Sequence, residues 1–376
     1  MKYYFILFLW LIFTAQIFAQ YSLQSQLNMF CSGDVIVKQQ VSYKDPGRLG
    51  ENVLWDFSNL DAENEEYKLA YTSLNKDSII TGTEHRTMYY YSLSNDSLLL
   101  WGYENSTTLM TNQQPELLLK FPVNYGDKTN SYFSGSGKYC DRLQLTAMGT
   151  VQTHADAYGM MVLPSKDALK HVFRVKTVKW IAEETKPFSH KKGTANLAIS
   201  KDSIDFRLSN DSTVLGVITY RWYERGYRYP IFETVKSVVK NKNSERKYFN
   251  TAFFFPPQAH YYLDEDEDNL SLLENQGNDQ SNDSTSSDPW YGLTYNYYPN
   301  PVISDLNIEM YLPRPAKIRV QLTERGGRIM KEERWGMKPE GIFHQQISMG
   351  FFTVGEYVLN IWLDDGYMVS KKLFKR

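Results

Sequence analysis

The sequence predicts an all-β protein: a large antiparallel region of β-sandwich or jelly-roll type, open to division into two subdomains, followed by a small immunoglobulin-like β-sandwich. Three observations predict it. Aromatic residues make up 15% of the 376 positions, with 28 Tyr, 20 Phe and 8 Trp, and aromatic and β-branched side chains fit pleated, half-buried surfaces. Polar turn clusters recur at short intervals between apolar runs, which is the punctuation of hairpins. No apolar period of 3.6 is sustained over a useful length; Pro164 to His171 offers a turn or two.

Met1 to Gln20 carries Lys2, an apolar block from Tyr3 to Phe13 and a polar stretch closing on Ala19, the layout of a cleavable secretory signal. The block is shorter than the roughly 20 apolar residues of a membrane-spanning helix. Residues 1–19 are therefore expected to be removed, leaving Gln20 or Tyr21 as the new start. No cysteine directly follows the block, which argues against a lipid anchor, and no second apolar segment reaches spanning length.

Four passages share one pattern: Ser73 to Ile80, Ser92 to Leu99, Ala198 to Asp205 and Arg207 to Val214 each place a polar cluster ending in Asp-Ser between apolar residues. They read as tight reversals. The flanking runs Thr87 to Leu93, Ser97 to Tyr103, Val172 to Trp180, Val214 to Tyr223 and Tyr227 to Val239 read as strands, with Glu224-Arg225-Gly226 as the turn between the last two. Composition then breaks at Asp264. The acidic run Asp264 to Asp268 passes into Asn, Gln, Ser, Asp and Thr, a stretch that cannot bury enough surface to offset its ordering entropy. Residues 264–289 are expected to be a linker between the region 20–263 and a module spanning 290–376.

In that module, Tyr298-Pro299-Asn300-Pro301-Val302 is followed by Asp305-Leu306, an alternating strand from Ala316 to Leu322, the turn Gly326-Gly327, the strand opening Gly355-Glu356-Tyr357 and the basic end Lys371-Lys372-Leu-Phe-Lys-Arg376. The spacing suggests about seven short strands, the size of a small sandwich. The order of motifs resembles the type A C-terminal sorting domain of the Bacteroidetes type IX secretion system, over Leu293 to Arg376. Thr323-Glu324 and Phe351-Phe352-Thr353-Val354 depart from the usual family pattern. The resemblance implies export across the inner membrane on the N-terminal signal, then across the outer membrane by the terminal module. The partner would be the type IX machinery, and the destination the medium or the outer cell surface. Gly50 to Ser58, Gly137 to Cys140, Ala155 to Gly159, Phe173 to Lys176 and Tyr220 to Tyr223 resemble uncharacterised secreted cargo of the same phylum, a likeness that names no activity. Asp-Ser before an apolar residue or Thr also resembles the Bacteroidetes O-glycosylation acceptor, at Ser78, Ser97, Ser203, Ser212 and Ser284.

Motifs that carry chemistry are scarce. The histidines 85, 154, 171, 190, 260 and 344 show no metal-helix spacing, and His-Glu-x-x-His, Gly-x-Ser-x-Gly and a phosphate loop are missing. No catalytic, cofactor or metal residues are assigned. A net charge of −2 and a pI near 6.3 give no footprint for nucleic acid. Cys31 and Cys140 are candidates for a disulfide in an oxidising compartment, two separate thiols being the alternative. The expected body is a non-enzymatic module that binds glycan or protein through one sheet face, presenting a solvent-facing aromatic strip or a loop cluster. The alternative is a secreted hydrolase, which requires carboxylates, or a His and a nucleophile, to meet in a cleft.

Overall fold

The structure is a computed structural model, and it describes residues 22–376 apart from 74–78, 166, 188–197, 242–243, 284–289 and 291. The leader read at 1–19 lies outside these residues. The chain is β-rich throughout, as expected. Its body comprises β1 (Val35–Val41), β2 (Gly50–Asp56), β3 (Ala62–Ser73), β4 (Ile79–Glu84), β5 (Thr87–Ser94), β6 (Ser97–Glu104), β7 (Thr108–Lys120), β8 (Lys128–Tyr139), β9 (Leu143–Val162), β10 (Ala168–Pro187), β11 (Thr213–Tyr223), β12 (Phe232–Asn241) and β13 (Ser244–Phe254).

These form one 13-stranded sheet rather than the two layers of the expected sandwich or jelly roll. Leaving β2 aside, each strand pairs with the next in the chain, and β13 returns to β1 through Gln39 to Phe254, Gln40 to Phe253 and Val41 to Ala252. The result is a closed antiparallel ring of twelve strands. Closure pairs the edges that an open sheet would expose. Strand β2 lies outside the ring, parallel to the second half of β9 from Gly50–Ala157 to Asp56–Val162.

Both faces of the closing strands are buried. Along β10, Phe173 and Val175 join Leu23, Leu98, Leu119 and Tyr223 in an interior core. Val172 faces the other way, with Trp222, Phe232, Ala252 and Phe254, into an outer core roofed by Val53, Trp55 and Phe57 of the β2 segment. One end of the interior is plugged by the segment carrying α1 (Ser25–Asn28), whose Phe30 stacks on Tyr71 at 4.6 Å and meets Tyr91 edge-on at 5.0 Å.

Two further segments differ from what the sequence suggests. Lys201–Asn210 is a helix, α2, and not part of two hairpins: Ser200 is its N-cap, accepting from the Ser203 amide, and Asp202 sits in its first turn. The acidic run is also no free linker. It forms a 3-10 turn at Tyr261–Glu265 and the start of α3 (Glu267–Asp283). Asp266 is buried in a two-pronged pair with Arg228, at 2.8 and 2.7 Å, and Asn269 donates to the Leu27 carbonyl at 3.0 Å.

The C-terminal module has β14 (Thr294–Tyr298), β15 (Asp305–Leu312), β16 (Ala316–Glu324), β17 (Ile329–Lys338), β18 (Gly341–Ser348), β19 (Gly355–Leu363) and β20 (Tyr367–Lys375). They make a three-stranded sheet, β14-β15-β18, and a four-stranded sheet, β17-β16-β19-β20. The two share one core, drawn wholly from Trp290 to Leu373 and including Leu306, Ile318, Ile347, Leu359 and Leu373. Burial alternates along β16, β19 and β20, as a strand with one face in the core requires.

Candidate functional site

The motif residues of the module, scattered through the sequence, gather at one end of the sandwich. Val302 bridges to Lys375; its amide donates to the Phe374 carbonyl at 2.7 Å, and the Arg376 amide donates back to the Val302 carbonyl at 2.8 Å. Asn300 completes the clamp, accepting from the Phe374 amide at 2.9 Å and donating to the Lys372 carbonyl at 3.3 Å. Pro299 and Pro301 flank it and carry no N–H, so the backbone donors of this turn come from Asn300 and Val302. Gly355 pairs with Lys375, and Tyr357 pairs with Leu373 on one side and Glu324 on the other. The Gly326-Gly327 turn follows Glu324 at the same end; Gly327, with φ at 83°, takes the left-handed region and Gly326 does not.

The residues leading into Gly355 make local contacts. Tyr357 donates to the Thr353 carbonyl at 2.8 Å, and Phe352 packs edge-on against its ring at 5.5 Å. The neighbours of this pair point outward. Phe351 is fully exposed and Val354, Ile303 and Phe374 are 76%, 71% and 40% exposed, so apolar surface sits in water around the gathered motif. Four large apolar side chains are thus exposed around one turn system. Sequence reading named the motif but missed this rim. Its signal was the polar context of β20, where Phe374 alternates with the buried Leu373 and Lys375. The basic end is divided: Lys372 pairs with Glu356 at 2.7 Å, and Lys371 lies 5.3 Å from the Tyr295 ring, its charge favoured by hydrogen bonding to that tyrosine.

A second candidate lies inside the ring, where a cavity of about 100 Å³ is lined by Phe30, Tyr71, Tyr91, Arg221, Glu233 and Lys38, among others. Arg221 donates to Glu233 at 2.5 Å, Lys38 pairs with Glu84, and further along Lys179 pairs with Glu116 at 2.6 Å. Burial works against both partners of the first pair. Glu233 nevertheless sits below the usual carboxylate range because Arg221 and Lys38 hold its charge, and Arg221 is raised in turn by Glu233. Burial drives Tyr71 and Tyr91 well above an ordinary phenol and Tyr89 up to about 12. These phenols stay protonated at neutral pH and are hydrogen-bond donors rather than bases. Glu233, Glu84 and Glu116 are thus each matched by a cation, beside protonated phenols.

The other sequence candidates are dispersed. Cys31 and Cys140 are both free thiols, so the disulfide is not formed: Cys31 lies half-buried beneath Tyr229, and Cys140 is exposed on the β8–β9 turn. Of the proposed acceptor serines, Ser97 opens β6, Ser203 is in the first turn of α2 and Ser212 is exposed just before β11. Ser78 and Ser284 lie outside the described residues. Among the described residues no three or more His, Cys, Asp or Glu side chains are grouped to hold a metal, and no helix is long and apolar enough to cross a membrane.

No protein-family model matches the chain, and no curated protein matches it. Among solved structures, a polysaccharide lyase aligns over 91% of this chain and 39% of its own, with 7% identity and a TM-score of 0.17. This chain thus spans well under half of that protein's length, and at that score the likeness carries no argument.

Proposed function

We propose that the chain is an exported, non-enzymatic binding protein, whose C-terminal sandwich is the handle for a type IX-like secretion machinery and whose ring-shaped body is the cargo. The observation that carries the reading is the gathering of Asn300, Val302, Gly327, Gly355, Tyr357 and the β20 end at one pole of the module, rimmed by Ile303, Phe351, Val354 and Phe374. A module with its own core can be recognised apart from what it carries. The export partner would take the apolar rim, with the basic end setting orientation. On this reading the protein ends in the medium or on the outer cell surface, where Ser97 and Ser212 are accessible to glycosylation.

The body would bind glycan or protein on the outer face of β3 to β7, where Trp101 is pinned by its indole N–H to Ser92 at 2.7 Å and stays partly exposed. The test is delivery. Replacing Ile303, Phe351, Val354 and Phe374 together by Ser removes no buried contact of the module core. The variant is expected to accumulate inside the outer membrane as folded protein, as is a chain lacking 290–376. Normal delivery of either would overturn the proposal.

A further inference from the structure

The module does not hang loose from the body. Where they meet, the loop between β1 and β2 presents Arg48 to the module: its guanidinium lies 4.7 Å from the Tyr298 ring centre and its Nε is 3.5 Å from Glu309. Tyr298 donates to the same carboxylate at 2.5 Å, so Arg48, Glu309 and Tyr298 form one cluster. Asn296 adds a bond to the Asn52 carbonyl at 3.2 Å. Tyr298 is the first residue of the Tyr-Pro-Asn-Pro-Val turn, which puts the base of the motif against the body.

The loop that offers Arg48 is itself held from within the body. Arg174 on β10 is 1% exposed and pairs with Asp156 on β9 at 2.7 Å. The rest of its fork donates to the Pro46 carbonyl and, at 3.1 Å, to the Arg48 carbonyl. Trp55, Tyr220 and Trp222 surround the guanidinium at 5.6, 5.0 and 5.7 Å, and Trp55 donates to Pro46 at 3.1 Å. Arg48 closes the loop on itself through the Glu51 and Asn52 carbonyls. Arg174 can make all these contacts only when β9, β10, β11 and the β2 segment have packed together. The carbonyls it holds are those that aim Arg48.

We propose that this two-arginine relay is a latch that docks the C-terminal module on the body only when the body is folded, and so makes the placement of the sorting turn report the state of the cargo. Arg174 is the positioning residue and Arg48 the contact. Why docking matters rests on the export reading above, but whether it occurs does not. The experiment therefore reads docking alone.

Hydrogen exchange is followed in the full chain for the segments 46–52 and 294–298 and for β16 and β19, together with the radius of gyration in solution. Arg48→Ala is expected to speed exchange at 294–298 roughly tenfold, the size of a cation–π contact plus a rim ion pair. The radius of gyration should rise while β16 and β19 remain protected. The paired change Arg174→Met with Asp156→Leu, which removes both buried charges and touches no module residue, is expected to release 294–298 as well. Arg48→Lys, which keeps the charge but loses the flat plate, should fall between. Unchanged exchange at 294–298 in Arg48→Ala would overturn the latch. So would a paired variant, still folded by its β10 and β11 protection, that loosens 46–52 and leaves 294–298 untouched. Normal delivery of a variant shown to be undocked would count against the link to export and leave the latch standing.

Discussion

Burying His260 as a neutral ring makes the body acid-sensitive by an amount that can be worked out. The imidazole is 4% exposed, meets the Tyr227 ring edge-on at 5.4 Å, and shares its Nδ1 with the Tyr262 hydroxyl at 3.1 Å; its Nε2 has no hydrogen-bond partner among the described residues. Burial pushes its pKa down from 6.5 to about 4. A folded pKa below the unfolded one means that the unfolded chain takes up the proton first, so stability is intact above pH 6.5 and falls as the pH drops toward 4. The full gap is worth about 3 kcal/mol, of which about 2 kcal/mol is lost between pH 7 and pH 5. His260→Asn carries no such proton. Its stability relative to wild type should improve by about 2 kcal/mol on moving from pH 7 to pH 5, measured by urea unfolding of the body at both values. A difference that stays flat across that range, or an NMR titration of His260 near 6.5, would refute the reasoning.

Other consequences are as direct. Asn300→Ala removes both side-chain bonds that join the Pro-Asn-Pro turn to β20 and should lower the stability of the module by about 1–3 kcal/mol, read as a lower melting temperature of that transition with the body unchanged. Gly82 on β4 faces the interior, where an added Cβ would lie 2.9 Å from the Tyr91 ring and 3.0 Å from Tyr71; Gly82→Ala should cost about 1–3 kcal/mol by forcing these rings apart. A maleimide should label Cys140 at once and Cys31 slowly, because Cys140 is exposed while Cys31 is half-buried and its thiol is pushed up by burial. Equal rates, or no labelling without reductant, would contradict this.

The sequence made the strands legible where each hairpin is local. The turn at Asn95-Asp96, with both residues at positive φ, joins β5 to β6 where the Ser92 to Leu99 passage places it. The similar string from Ser200 onward becomes α2 instead. A Ser followed by an acidic residue is as good an N-cap as a turn, and Ile204 finds a buried seat against Met148 and Ala182. The acidic run misled for a related reason. Its composition forbids a core, but one residue, Asp266, meets Arg228 from 38 positions away, a distance no local pattern reveals. Ring closure was equally out of reach, since β1 and β13 are more than two hundred residues apart. In the candidate site the motif was readable as a string, whereas its apolar rim depends on which side of β20 faces water.

The two-sided burial that hid the ring also narrows where the body can meet a partner. A strand with both faces covered loses its alternation, and β9 shows it, buried at nearly every position from Leu145 to Ala157. One end of the outer face of β9 to β13 is taken by Val53, Trp55 and Phe57, and part of the outer face of β8 to β10 by α2, through Ile204 and the bond from Tyr132 to Asp205 at 3.0 Å. The interior is closed by Phe30 and the α1 segment at one end and crossed by the Lys38–Glu84 and Lys179–Glu116 pairs. One stretch that neither the β2 segment nor α2 covers is the outer face of β3 to β7. There Ile79, Met88, Trp101 and Leu109 are exposed, and the ladders on both sides of Trp101 are irregular, between Tyr90 and Tyr91 on β5 and between Leu100 and Gly102 on β6. Bulges re-aim side chains and break pairing. A tryptophan displayed at such a break, with its N–H already satisfied by Ser92, is the side chain that the binding face proposed above would bring to the apolar face of a sugar ring.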